Sequence, residues 1–323
     1  MKQIYLDHAA TTYTDPRVLE AMIPYFTEIY GNAESNHKQG KQSLIAIDNA
    51  RETIAKILHC RATEIIFCGT ATEANNLAIF GTVKANKSKG KHLITSKIEH
   101  SSVRGPFTEL EEEGYEVTWL NVDKNGLVNP ADLEKAIRPD TILVSIMYAN
   151  NEIGTIEPIQ ELGEICQKHG IIFHTDACQA AGACDLNVEN LNVSLLTMNG
   201  SKIYGPKGVG ALYVKRNTPI EPIIFGGGHE NGLRAGTHNT PNIIGMAKAL
   251  ELVQQEKDKE NPRLTKLRDQ LINGLLAKIP DTHLNGHPTQ RLPNNASITF
   301  DNINSEALML LLDENKIYVS TGS

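Results

Sequence analysis

The sequence lacks a long apolar run and is poor in aromatic residues. A membrane-spanning helix needs about 20 consecutive apolar residues, and no stretch of the 323 residues approaches that. Aromatic residues make up 5% of the chain, against 40% hydrophobic and 21% charged residues. This balance is typical of a folded globular protein and excludes a disordered, collagen-like or coiled-coil chain. Residues 1–7 contain no apolar signal-peptide core, so we expect a cytoplasmic protein.

Basic residues are also fewer than acidic residues. The chain has 31 Lys and Arg against 38 Asp and Glu, a formal net charge of -7. A protein of this charge has no general electrostatic attraction for nucleic acid or anionic membranes. We therefore predict neither as a partner, and any anion must be bound by a local site.

Cysteines are few and show no paired spacing. The five are Cys60, Cys68, Cys166, Cys178 and Cys184. An odd number without a CxxC pair, in a chain without a secretion signal, indicates reduced thiols rather than a disulfide framework or a zinc site.

Short apolar runs alternate with helical patterns over the first two thirds of the chain. Candidate strands are 64–68, 92–95, 116–120, 141–147, 170–175, 195–198 and 211–214. Strands that are apolar throughout and separated by helices indicate a largely parallel sheet covered on both faces. We predict an α/β fold whose large domain has a mostly parallel, seven-stranded sheet.

The pattern changes after residue 215. A glycine-rich loop over 225–237 precedes a helix that begins at Thr240-Pro241, and the charged run 256–260 marks a probable domain boundary. We predict a large domain over 15–258 and a smaller, incomplete α+β domain over 259–323, to which residues 1–14 add an arm.

The first candidate site lies where an apolar strand turns into a helix. Thr70 and Glu73 have the spacing of a capping box, and the backbone N–H groups of Ala71 and Thr72 would form an anion-binding cup at the helix N-terminus. Taken alone, a capped helix after a strand is more often purely structural.

The second candidate is the carboxylate of Asp176 at the end of an apolar strand. Burying it is costly unless a positive group faces it, and the alternative is a helix cap for the segment beginning at Ala177. His174, Asp176 and Cys178 also alternate as metal ligands might on a strand. No matching His or Cys cluster occurs elsewhere in the sequence, so we predict no metal.

The third candidate is Lys202, which follows an apolar strand and a glycine among small and apolar residues. Desolvation there would lower the lysine pKa and make the amine usable as a nucleophile. The glycines of 205–210 offer a phosphate loop as an alternative. Their spacing fits neither the Walker nor the dinucleotide pattern, which favours a simple turn.

Together the three candidates specify pyridoxal phosphate (PLP). This cofactor needs an anion site for its phosphate, an acid that keeps its ring nitrogen protonated, and a lysine for its aldehyde. Further motifs occur in the same order at 5–12, 31–32 with His37, 71–79, 95–100, 150–154, 174–179, 202–208 and 234–237. On these residues the chain resembles the cysteine desulfurases of the NifS/IscS type, in the class V aminotransferase group of fold-type I PLP enzymes.

The resemblance implies two catalytic residues. Lys202 would hold PLP as a Schiff base and then move the proton on the substrate α-carbon, while His100 would stack on the ring and act as acid or base. Asp176 would keep the pyridine nitrogen protonated.

The resemblance also implies the remaining contacts. The cofactor-binding residues would be Ala71, Thr72, His100, Asn151, Asp176, Gln179, Asn199, Ser201, Lys202 and Thr237. Thr237 would reach the phosphate across a homodimer interface, and Asn199 and Ser201 replace a family serine and histidine. Asn32 would bind substrate, although Ala33-Glu34 follows it in place of the family's Pro-Ser.

The carboxyl-terminal end differs from the family pattern. In the family, the stretch that resembles 320–323 runs, after one small residue, into the cysteine that carries the persulfide. We therefore expect a sequence truncated just before that cysteine, and the 323 residues alone to be inactive in persulfide formation.

The predicted reaction is conversion of L-cysteine to L-alanine, with sulfur passed to an enzyme cysteine for iron–sulfur cluster assembly or tRNA thiolation. A sulfur-acceptor or scaffold protein would be a further partner. The alternatives are a selenocysteine lyase or related class V enzyme, and a non-catalytic PLP-binding or scaffold-docking protein.

Overall fold

The computed structural model describes residues 3–322. Met1, Lys2 and Ser323 lie outside the described residues, and with them the start of the predicted arm and the last residue of the stretch 320–323 that resembles the family. The strands are β1 Ile4–Tyr5, β2 Ile65–Cys68, β3 His92–Ser96, β4 Glu116–Leu120, β5 Thr141–Ser145, β6 Ile172–Asp176, β7 Leu195–Asn199, β8 Gly210–Val214, β9 Thr282–Leu284, β10 Ile298–Phe300 and β11 Ile317–Tyr318. The helices are α1 Pro16–Met22, α2 Pro24–Thr27, α3 Lys38–Leu58, α4 Ala71–Asn86, α5 Ser101–Glu112, α6 Pro130–Ala136, α7 Ile159–His169, α8 Val188–Leu191, α9 Thr240–Lys278 and α10 Ser305–Glu314.

Seven strands form one sheet in the order β2-β8-β7-β6-β5-β3-β4. All neighbours pair in parallel except at β8, which is antiparallel to both β2 and β7. The prediction of a mostly parallel, seven-stranded sheet is confirmed. Both faces of the sheet are covered, and every residue of β3, β5 and β8 is buried.

Helices cover the two faces of this sheet. On one face, α3 packs Ile47, Ile54 and Leu58 into the largest apolar cluster. Elsewhere, α4 and α5 bury Val83 and Phe107 against β3 and β5. Because helices cover both faces of the sheet, the loops at the strand ends are the places where polar side chains can meet a ligand.

Parallel pairing brings the carboxyl ends of β2, β3, β5, β6 and β7 to one edge of the sheet. Strand β8 runs the other way, so it contributes its amino end: Gly210 pairs with Cys68 on one side and Asn199 on the other. Ligands bind at this edge in open α/β sheets.

The predicted boundary at 256–260 is not a linker, because these residues lie inside the 39-residue helix α9. The helix continues through Pro262, and side-chain amides of Gln254 and Asn261 hold it to the carbonyls of Ala181 and Ala183 at 2.8 Å each. Among residues 3–322, no helix combines the length and apolar character needed to cross a membrane.

Beyond α9 the chain forms a hairpin of β9 and β10, followed by α10 and β11. Strand β1 pairs in parallel with β11, in the register Ile4 to Ile317 and Tyr5 to Tyr318. The division into residues 15–258 and 259–323, with 1–14 as an arm, stays a prediction.

Candidate active site

The segments predicted to carry chemistry lie side by side at the carboxyl edge of the sheet. In strand order they are the turn after β2, the lysine turn after β7, the end of β6, the loop after β5 and the loop after β3. Residues distant in sequence therefore meet, as the alternation of strands and helices predicts.

The turn after β2 forms the predicted anion cup. Thr70 caps α4 by accepting a hydrogen bond from the Glu73 N–H at 3.1 Å, whereas the Glu73 carboxylate accepts from the Gly69 N–H at 2.9 Å rather than from Thr70. Within residues 3–322, the N–H groups of Ala71 and Thr72 have no hydrogen-bond acceptor. They are thus free to bind an anion at the positive end of the helix dipole.

Two neighbouring segments, the start of β8 and the glycine-rich loop, pack against the cup. A Cβ atom on Gly210 would lie 2.6 Å from the Thr70 carbonyl carbon and 2.8 Å from the Ala71 nitrogen, so only glycine fits there. Arg234 pairs with Glu73, Nε to Oε1 at 2.7 Å, and thereby joins the glycine-rich loop to the cup.

Asp176 ends β6 and is 6% exposed. One carboxylate oxygen accepts from the Cys178 N–H at 2.9 Å, and the other accepts from the Asn75 side-chain amide at 2.8 Å. The first bond caps a turn rather than the helix considered as an alternative, because no helix begins at Ala177. The second bond fixes the carboxylate in the site, and it comes from a neutral amide rather than from a positive group.

Asn75 extends this contact into a chain of hydrogen bonds that reaches His100. Its fully buried amide Nδ2 also donates to Ser102 Oγ at 2.9 Å, and Ser102 Oγ lies 2.8 Å from His100 Nδ1. The Ser102 backbone N–H points at the same His100 nitrogen at 3.1 Å. Because Nδ1 accepts this bond, the neutral imidazole carries its proton on Nε2.

Neither Asn75 nor Ser102 is among the site residues predicted from the sequence. The signal that points to Asn75 is its position on the buried face of α4, with Ala71, Ala74 and Ala78. A buried amide in such surroundings requires hydrogen-bond partners.

Lys202 lies in a 3₁₀ turn, Gly200–Lys202, directly after β7. Its ammonium donates to the carbonyls of Ala9 at 2.8 Å and Ala10, and the Gln179 side chain donates to the Ala9 carbonyl at 2.9 Å. Burial lowers the pKa of Lys202, against the opposing influence of nearby groups that include Asp176. The desolvation predicted from the sequence is thus present.

The side chains predicted to contact the cofactor nearby bond to other protein groups or lie in the adjoining loop. Asn199 Oδ1 accepts from the N–H and hydroxyl of Ser201, at 3.2 and 3.3 Å, so these two side chains pair with each other. Asn151 is partly buried in a loop that Asn150 holds by accepting from the N–H groups of Glu152 and Ile153.

A comparison with protein families agrees with this arrangement. The family described as aminotransferase class-V matches residues 4–323. The chain belongs to the class-V aminotransferase family. The predicted family is confirmed, and with it PLP as the cofactor of these enzymes.

Named relatives are similar to this chain over its whole length. A protein named cysteine desulfurase IscS from Methanosarcina thermophila is 52% identical over 322 residues, which are 100% of this chain and 80% of the relative. One of the same name from Dictyoglomus turgidum is 51% identical and matches over 82% of its length.

Solved structures also share the fold of this chain. A NifS-like protein superimposes with a TM-score of 0.97 at 38% identity, covering 99% of this chain and 88% of the other. A structure described as SspA in complex with cysteine has a TM-score of 0.87 at 37% identity, covering 100% of this chain and 90% of the other.

The residues of this site fit PLP. The free amides of Ala71 and Thr72 suit a phosphate, the held carboxylate of Asp176 suits a protonated ring nitrogen, and the lowered pKa of Lys202 favours the free amine that condenses with an aldehyde.

Two of the predicted site residues line a separate cleft. Asn32 and Thr237 both line a cleft with Tyr25, Tyr30 and His238. Lys202, Asp176 and His100 do not line this cleft in the described part of the chain. Their predicted contacts with substrate and with a partner's phosphate remain predictions.

The metal alternative is not supported at His174. Its two ring nitrogens are taken by Ser145 Oγ at 2.8 Å and Thr197 Oγ1 at 3.1 Å. Burial lowers the pKa of His174 to about 4, so the ring is a neutral core group. The glycines of 205–210 lie in a connection with a bend at 207–208 that enters β8 at Gly210, and Gly205 donates its N–H to the Gly200 carbonyl at 3.0 Å.

All five cysteines are unpaired, and burial raises the pKa of each: to about 12 for Cys60, Cys166 and Cys184, and well above the usual value for Cys68 and Cys178. A nucleophilic cysteine reacts as thiolate and needs the opposite shift. These five residues are therefore thiols at neutral pH.

Proposed function

We propose that this chain is a PLP-dependent cysteine desulfurase that converts L-cysteine to L-alanine. The observation that carries the proposal is the alignment of the Ala71 cup, Asp176 and Lys202 on one edge of the sheet. The names of the relatives and the cysteine complex of a solved relative support the choice of substrate.

The proposal gives each group a task. When bound, PLP would withdraw electrons from the substrate α-carbon. Lys202 would hold the cofactor through Nζ and move a proton at the substrate α-carbon. Asp176 would keep a proton on the ring nitrogen, and Asn75 and the Cys178 N–H hold its carboxylate in place. His100 would contact the ring and act as an acid through Nε2–H.

The remaining contacts of the proposal follow the resemblance. Residues assigned to the phosphate are Ala71, Thr72, Asn199 and Ser201, with Thr237 from a second copy; Asn151 and Gln179 are assigned to the ring oxygen, and Asn32 to the substrate. The free amides at Ala71 and Thr72 support the first assignment.

None of the five cysteines is proposed to carry the persulfide, because each is held as a thiol. Transfer of the sulfur to a cysteine thiolate, and then to an acceptor or scaffold for iron–sulfur clusters or thiolated tRNA, remains part of the proposal. So does a cytoplasmic location, which the unpaired cysteines support.

The decisive test of the cofactor site is Lys202→Ala. We expect the purified variant to lose the visible absorbance of lysine-bound PLP and its exchange of the cysteine α-proton for deuterium to fall by at least about 10³-fold. Lys207→Ala is the matched control, because Lys207 lies five residues away and, among residues 3–322, donates to the Thr12 carbonyl alone. A coloured Lys202→Ala protein that still exchanges the α-proton, or equal losses in both variants, would contradict the proposal.

The proposed homodimer is supported by exposed apolar side chains. Leu19, Ile23, Phe26, Tyr30 and Ile45 are each at least 49% exposed in the single chain. We expect sedimentation equilibrium to give twice the chain mass of 35.5 kDa, and Thr237→Ala to weaken PLP binding. A monomer that retains its full complement of PLP would contradict the shared site.

A further inference from the structure

A second cluster of chemically active side chains lies outside the lysine site. Glu34, in the loop after α2, meets His229 and His238, which flank the segment carrying Arg234. One ligand atom from each side chain lies within 4.8 Å of the other two. The two imidazole rings have centroids 5.2 Å apart and planes inclined at 67°.

The two histidines present unused nitrogens. Within residues 3–322, Nδ1 of His229 and Nδ1 of His238 are buried without a hydrogen-bond partner. The His238 side chain is only 8% exposed. A buried polar atom without a partner is unfavourable, and native structures normally satisfy it.

The tautomer of His238 follows from its other nitrogen. Nε2 lies 2.7 Å from Glu230 Oε1, and Glu230 is itself held by two hydrogen bonds from Arg51 and one from the Phe67 N–H. Because a carboxylate accepts hydrogen bonds, Nε2 of the neutral ring carries the proton and Nδ1 keeps its lone pair.

This arrangement is typical of metal-binding histidines, which donate their second N–H to a carboxylate. We propose that Glu34, His229 and His238 bind one divalent transition-metal ion such as Zn²⁺, with Glu230 orienting His238. Bonds of 2.0–2.2 Å place ligand atoms roughly 3.4 Å apart, and the exposed Glu34 side chain is free to close the remaining gap. The Glu34 backbone is already fixed by its N–H bond to Asn32 Oδ1 at 2.9 Å.

The ion would join two loops that carry predicted site residues. Asn32 precedes Glu34 by two positions, and Thr237 is adjacent to His238. The site thus goes beyond the proposed desulfurase reaction and does not depend on it, since neither PLP nor Lys202 contributes a ligand.

The test is metal titration of untagged, desalted holoprotein. We expect Co²⁺ to produce visible ligand-field bands that saturate at one ion per chain, and Zn²⁺ to displace it. His229→Asn, His238→Asn and the exposed Glu34→Ala should each weaken binding by at least about 10-fold, and Glu230→Gln by about 10- to 100-fold. Circular dichroism of each variant establishes that it is folded.

The matched control is His283→Asn. His283 also pairs with a carboxylate, Nε2 to Asp301 at 3.0 Å, but is outside the cluster. It should bind the ion as the parent protein does. Absence of saturable binding by the parent protein, or equal binding by the folded Glu34→Ala and His229→Asn variants, would overturn the proposal.

Discussion

At the scale of single residues, Asn75 links two groups that the sequence alone presents as separate. Its amide nitrogen donates to the Asp176 carboxylate and, through Ser102, orients His100. One buried side chain thus positions both the group that holds the ring-nitrogen proton and the proposed acid.

Asn75→Ala removes both bonds while leaving Lys202 in place. We expect the rate of α-proton exchange of cysteine to fall by about 10-fold, with little change in the cysteine concentration that gives half the maximal rate, because the variant disturbs groups that act after substrate binds. Asn76→Ala is the matched control, since Asn76 is partly buried and, among the described residues, its side chain bonds the Thr72 carbonyl alone, at 2.8 Å. Equal losses in the two variants, or a change confined to the half-saturating concentration, would show that Asn75 does not position the site.

The sequence predicts Lys202 and Asp176 because each is a polar residue at the end of an apolar strand. It does not predict Asn75, whose partner Asp176 is 101 positions away. A contact of that kind depends on the packing of α4 on β6, which no local pattern contains.

At the scale of elements, the antiparallel strand β8 shapes the cup. Its first residue, Gly210, lies against the backbone of Thr70 and Ala71, where neither neighbour can move without shifting the start of α4.

Gly210→Ala should therefore weaken PLP binding by about 10-fold, as measured by equilibrium titration of cofactor absorbance, because the new methyl displaces the amides that hold the phosphate. Gly105→Ala is the contrasting control. Gly105 lies within α5, and an added Cβ would meet no atom within 4 Å apart from its chain neighbours, so alanine should leave PLP binding unchanged. Unaltered PLP affinity in Gly210→Ala would show that the cup tolerates the methyl.

Most elements of the sheet are predictable, since each central strand is a short apolar run between helical patterns. Helix α9 is not, because charges followed by Asn261-Pro262 normally mark a break. The helix persists there since the side chains of Gln254 and Asn261 bond to carbonyls of the adjoining loop.

At the scale of the whole molecule, two buried carboxyl groups connect stability to pH. Burial raises the pKa of both Glu99 and Glu157 to about 8. Glu99 joins β3 to the chain after β5, accepting from Ser96 Oγ at 2.6 Å and the Met147 N–H at 2.9 Å.

Between the ordinary pKa of about 4.5 and about 8, the folded state holds a proton on Glu99 that the unfolded chain has lost. The free energy of unfolding therefore decreases as pH rises, by up to about 1.4 kcal/mol per pH unit for this group. Glu99→Gln mimics the neutral acid and should gain stability relative to the parent protein from pH 5 to pH 8. Urea unfolding across this range measures it, and a difference independent of pH would contradict the assignment.

The pairing of β7 with β8 also restrains the loop that carries Lys202. Residues 200–209 form this loop, and the two residues that flank it, Asn199 and Gly210, are paired with each other between two interior strands of the sheet. Freeing this loop requires separating β8 from β7 in a sheet where β8 is also bonded to β2. Local unfolding around the lysine that would anchor the cofactor therefore costs a free energy set by the central sheet, which is larger than that of a surface loop. Fraying at the periphery of the molecule therefore leaves the anchor intact.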